Sequence, residues 1–173
     1  MVIKMSKEAQ MKPLSKLFFV LYLLTLLWLV LFKLSTDFSS VLFDHQARSL
    51  NLIPFIISSQ ANPREMLDNF MIFVPFGLLL GVYFKQVRFW QKLAVIFTFS
   101  FIVETMQFIL AIGVTDITDL ITNTLGGLFG LLVYDFGKKH LTPEKLDRAI
   151  IITGMILLAL LLIFRFFVLR VRY

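Results

Sequence analysis

Residues 17–32 read LFFVLYLLTLLWLVLF, sixteen positions without one charge. Runs nearly as apolar fill most of 69–84, 93–112 and 149–164. A stretch near twenty residues, rising about 1.5 Å per residue, matches the roughly 30 Å hydrocarbon core of a bilayer. A soluble bundle would need a charged face on each helix, and these runs offer none. A membrane barrel would alternate apolar and polar positions, which they do not. The expected fold class is all-α, a polytopic transmembrane helical bundle of about five spans, at 15–34, 66–84, 92–112, 116–134 and 149–168. Composition agrees, with 58% hydrophobic and 16% charged residues, against about half and about a quarter in soluble domains.

The formal net charge of +6 does not form one basic patch, so no nucleic-acid partner is expected. The basic residues flank the apolar runs instead, as topology signals do. With the N-terminus inside, eleven of the seventeen lysines and arginines fall on the cytoplasmic side. That majority supports an N-in orientation. The chain then divides into a cytoplasmic tail (1–14), a four-helix membrane domain (15–134) with an outer loop at 35–65, and a last part (135–173). The last part holds a basic cytoplasmic loop, a fifth helix and a tail. The tail, RFFVLRVRY, would snorkel or lie in the interface. The first run is too long for a cleaved signal and reads as a signal-anchor. Cysteine is absent, so disulfides and thiolate metal sites are excluded. In the outer loop, SLNLIPFIISS (49–59) is too short to span and is broken by Pro54, so it belongs in the interface or re-enters the membrane.

The chemistry lies in polar residues inside these spans. Glu104 sits near the middle of the third, with Ser100 and Gln107 on the same helical face. A carboxylate at that depth costs about 2.5–3.5 kcal/mol on insertion scales, so it needs a partner, a proton or a watery cavity. In the fourth span Asp116, Asp119, Asn123, Gly127 and Gly130 step by three or four residues and form one stripe, polar above and glycine-faced below. The second span adds Asp68 and Asn69 at its outer end, then Pro75, which removes a backbone hydrogen bond near Met71 and Ile72. Arg48, in the outer loop, is the cation expected to pair with these groups. Two readings follow: interhelical hydrogen bonds that only hold the bundle together, or an outward polar pocket built from Arg48, Asn69, Glu104, Gln107, Asp116, Asp119 and Asn123.

The usual hydrolytic constellations are missing. The histidines, His45 and His140, read as solvated loop residues. DITD (116–119) invites comparison with magnesium-binding DxxD motifs, but the glycine, arginine and carboxylate positions that follow such motifs are absent. No metal and no cofactor is expected, and a non-enzymatic role is favoured over catalysis.

RSLNLIPF (48–55), NFMIFVPFGLLLG (69–81), ETMQ (104–107) and DITDLITNTLGGLFG (116–130), in this order and spacing, resemble the VanZ-like family. The resemblance covers residues from about 45 to 134 together with the leading span. It implies a small bacterial membrane protein related to an accessory factor of glycopeptide resistance, associated with low-level teicoplanin resistance. It carries Arg48, Asn51, Pro54, Asn69, Pro75, Gly77, Glu104, Gln107, Asp116, Asp119, Asn123, Gly126 and Gly130 as matching positions. Asn51, Pro54, Pro75, Gly77, Gly126, Gly127 and Gly130 are expected to serve the framework. The expected function is recognition of a cell-wall precursor, lipid headgroup or glycopeptide, with membrane lipids as partners. The alternatives are a small proton-coupled transporter or flippase using Glu104, and a metal-assisted lipid-phosphate enzyme using Asp116 and Asp119.

Overall fold

The structure, a computed structural model, describes residues 7–32, 49–55, 63–111 and 114–164. Five helices form there: α1 (Lys7–Phe32), α2 (Pro63–Tyr83), α3 (Phe89–Leu110), α4 (Ile117–His140) and α5 (Pro143–Ile163). All five are long and apolar enough to cross a membrane, and the chain is a multi-pass membrane protein. Two short strands, β1 (Ser49–Asn51) and β2 (Val114–Asp116), pair in parallel, with Asn51 opposite Asp116. Hydropathy gave no hint of this ladder, since three residues carry no period.

The helix ends differ from the sequence expectation in one place that matters. The stretch 135–148 is not a loop: α4 runs on to His140, and only Leu141 and Thr142 separate it from α5. Lys138, Lys139 and His140 occupy the last turn of α4, where cations complement the negative end of the helix dipole. Pro143, at the start of α5, fits the first turn because its missing N–H would find no helical acceptor there.

Burial runs opposite to hydropathy. In α4, the least apolar of the five spans, half of the residues are buried, while in the very apolar α5 only 6% are. In a bilayer the solvent is itself apolar, so the helix with small and polar residues goes inside and leucine-rich helices face lipid. Leu24, Phe101, Phe129 and Leu157 are accordingly exposed at the bundle surface.

The centre is the α2–α4 pair. A Cβ placed on Gly126 would lie 2.1 Å from the Phe70 carbonyl oxygen, and one on Gly130 would lie 2.1 Å from that of Val74. The two backbones therefore touch along this face, as small-residue helix faces permit. Around the pair, Phe73, Phe76 and Leu79 of α2 pack with Ile96 and Val103 of α3, Leu131 of α4, and Tyr22, Leu26 and Val30 of α1.

Pro75 lies within α2 without ending it. The Tyr22 hydroxyl of α1 donates to the Ile72 carbonyl at 2.8 Å, one turn before the proline. A neighbouring side chain thus takes up ladder capacity next to the site where proline removes a donor. At the far end, Asp147 of α5 pairs with Lys85 and accepts from the Tyr134 hydroxyl at 3.0 Å, while the Tyr83 hydroxyl donates to Ser15 O at 2.6 Å. The Asp147 bonds tie the foot of α5 to the rest, and the Tyr83 bond ties α2 to α1.

Candidate functional site

The site forms where α3 ends its buried polar face and α4 begins. Ser100, Glu104 and Gln107 are all buried, at the i, i+4 and i+7 positions of one face of α3. The chain leaves α3 through Ala111, whose positive φ of 54° closes the helix with its N–H directed at Gln107 O and Phe108 O. It re-enters α4 through β2, which brings Asp116 back beside Glu104.

Asp116 is the N-cap of α4. One carboxylate oxygen, Oδ1, accepts from the Thr118 N–H at 2.8 Å, satisfying one of the free donors at the helix start. The other, Oδ2, accepts from Asn51 Nδ2 at 3.1 Å. Asn51 in turn uses its Oδ1 to accept from the Ile53 N–H at 3.2 Å. The Phe55 N–H donates to Thr118 Oγ1 at 3.2 Å, and Phe55 holds a positive φ of 58°. A non-glycine residue in that conformation costs on the order of 1–3 kcal/mol and persists where its surroundings fix it. Here the fixing groups are Thr118 and the Asn51–Asp116 clasp. The loop segment after β1 is thereby held against the start of α4, with Leu52, Ile53 and Phe55 exposed.

Glu104 faces the same point from α3. Its Oε2 accepts from the Asp116 N–H at 3.3 Å, and its backbone carbonyl accepts from Thr115 Oγ1 at 3.3 Å. A carboxylate beside the opening turn of a helix meets the positive end of the dipole, which offsets part of the cost of its burial. Between these elements lies a cavity of about 280 Å³. Glu104, Thr105, Thr115 and Asp116 are among its lining residues beside Phe101, Phe108 and Leu120, and the surface they present to it is almost wholly apolar, because their polar atoms are turned to hydrogen-bond partners within the fold. Phe101 and Phe108 are also exposed on the outer surface of α3. The cavity thus opens sideways, between side chains that face the bilayer.

Of the seven residues proposed from sequence, six are described, and two of those six line this cavity. Glu104 and Asp116 line the cavity. Asp119 and Asn123 are buried within the bundle, and Asn123 Nδ2 donates to Ser100 Oγ at 3.0 Å. Gln107 Nε2 reaches across to the Val30 carbonyl of α1 at 3.0 Å. Asn123 and Gln107 are interhelical ties, because their donors are used on neighbouring helices deep in the packing. Asn69, on α2, neither lines the cavity nor appears in this hydrogen-bond set. Arg48 lies outside the described residues. Asn51, expected to serve the framework, bonds the Asp116 carboxylate beside the cavity. Thr105, Thr115 and Thr118 carried no sequence signal, because single threonines are common in apolar helices. Among the described residues no three His, Cys, Asp or Glu side chains come together in a cluster.

Comparison with known proteins follows the same residues. No solved structure matches the chain. The chain is 53% identical over 154 residues to Protein VanZ of Enterococcus faecium, an alignment covering 89% of this chain and 94% of that protein. The family description VanZ/LLP1 matches residues 19–138, which take in the second half of α1, the clasped loop, α2, α3 and nearly all of α4. With that span matched and a relative so similar along its length, this chain belongs to the VanZ/LLP1 family.

Proposed function

We propose that this protein acts at the bacterial cell envelope and contributes to glycopeptide (teicoplanin) tolerance. Its Glu104–Asp116 cavity would bind a cell-wall precursor, a lipid headgroup or the drug at the outer leaflet. The observation that carries this reading is the position of the cavity. Its lining is almost wholly apolar, it lies directly beside the Glu104 and Asp116 carboxylates, and its mouth opens among the exposed side chains of Leu52, Phe101 and Phe108. Such a site suits an amphiphile whose head donates hydrogen bonds and whose apolar part stays in the membrane. The outward direction rests on the charge pattern, which leaves the α2–α3 turn and the α4–α5 turn, with Lys85, Arg88, Lys138 and Lys139, on the cytoplasmic side. Family membership supports the link to glycopeptide tolerance.

Glu104→Gln tests this directly. The new amide oxygen can still accept from the Asp116 N–H, so the local fold is kept while the charge is lost. Cells expressing the variant should show teicoplanin tolerance at the level of cells lacking the protein, with membrane expression unchanged. Full tolerance in that variant would rule out the carboxylate as a recognition group.

A further inference from the structure

A second cavity, of about 440 Å³, lies between α1, α2 and α5 and shares no residue with the first. Its walls are almost wholly apolar, with Tyr22, Leu29, Pro75, Leu79, Thr153 and Leu158 spread along it. The two hydroxyls on its α1 side are used internally: Tyr22 donates to Ile72 O and Thr25 donates to Leu21 O. Both donors are thus spent inside the bundle, and with walls otherwise almost wholly apolar this side suits hydrocarbon. The volume lies within the roughly 300–1,000 Å³ of pockets that enclose small amphiphiles.

The gap exists because α5 is held chiefly at its foot. Asp147 is taken by Lys85 and Tyr134 there, and Gly154 lets the helix touch Phe18, where a Cβ would come within 2.8 Å of the ring. Beyond those contacts little of α5 is buried. The foot also sets the charge at the end of the groove. Lys16 stands two residues before Phe18, and Arg148 stands next to Ala149, both of which are groove-lining residues. Lys16 and Arg148 are exposed, and neither has an ion pair among the described residues. Lys16 and Arg148 do not line the groove, but they stand at the level where it ends, and two exposed cations at one end of a bundle of membrane-spanning helices complement a phosphate whose hydrocarbon tail enters the groove.

We infer that this groove is a binding site for an anionic membrane phospholipid, its acyl chain between α1, α2 and α5 and its phosphate at Lys16 and Arg148. The test is native mass spectrometry of the detergent-purified full chain with dioleoyl phosphatidylglycerol or dioleoyl phosphatidylcholine. Three proteins are compared: wild type, Lys16→Glu/Arg148→Glu, and Thr153→Trp, which fills the groove from an exposed position of α5. Wild type should retain phosphatidylglycerol with about tenfold preference, as two cations favouring an anionic headgroup imply. The charge-reversed variant should lose the preference while still binding lipid, and the Thr153→Trp variant should lose bound lipid altogether. Equal retention of the two lipids by wild type would overturn the inference. So would wild-type phosphatidylglycerol binding by Thr153→Trp, or a dimer that displaces the lipid and disappears in that variant.

Discussion

Gly126→Ala and Gly130→Ala are each expected to lower the melting temperature in detergent by roughly 5–10 °C or to abolish folded protein, as overpacking by about 1–3 kcal/mol or more would. Each added methyl would sit 2.1 Å from a carbonyl oxygen of α2, and a backbone atom cannot rotate aside. The α2–α4 pair would have to separate, and the cavity would lose its support because α4 carries Asp116 at its head. Gly137→Ala is the control. Its methyl would meet the tips of the Leu146 side chain at 3.0 and 3.1 Å, which can move, so its melting temperature should stay near that of wild type. Thermal unfolding followed by size-exclusion chromatography reads all three. Equal behaviour of the three variants would refute backbone contact as the basis of the pair.

The clasp between Asn51 and Asp116 gives the second large effect, and its chemistry predicts a rescue. In Asp116→Asn the new amide must keep its oxygen toward the Thr118 N–H, so its nitrogen faces the Asn51 nitrogen, donor against donor. In Asn51→Asp two carboxylates face each other. Each single change should cost about 1 kcal/mol, the low end of the range for an unsatisfied polar group, because the pair is only part-buried. In the double variant the bond reverses: the amide at 116 donates to the carboxylate at 51, which can still accept from the Ile53 N–H. Stability should return toward wild type, giving a coupling energy of about 1–3 kcal/mol between the two positions. A double variant as unstable as the sum of the singles would show that the clasp does not hold the loop.

What the sequence made legible follows from length scales. Five apolar runs specify five helices, because the bilayer thickness sets the period and the backbone has no other way to satisfy itself in lipid. The glycine face of α4 and the buried polar face of α3 were readable for the same reason, as steps of three and four residues on single helices. Convergence between elements was not. That Gln107 reaches Val30 while Glu104 reaches Asp116 depends on which neighbour each side of α3 meets. Spacing along one helix places both on one face and cannot separate their roles. The β1–β2 ladder was invisible because three-residue strands carry no pattern, and with it went the part played by Asn51.

If the space beside Glu104 binds a ligand, filling it abolishes function; if the polar groups there only hold helices together, it does not. Thr105→Trp separates the two. Thr105 is exposed on α3 and lines the cavity, and its hydroxyl bonds only to the Phe101 carbonyl of its own helix. Filling the cavity from this position leaves the Glu104, Asp116 and Asn51 hydrogen bonds in place. Teicoplanin tolerance measured in cells, beside thermal stability of the purified protein, is the decisive pair of readings. Tolerance should fall to that of cells without the protein while the melting temperature is retained. Full tolerance with the cavity filled would contradict ligand binding there.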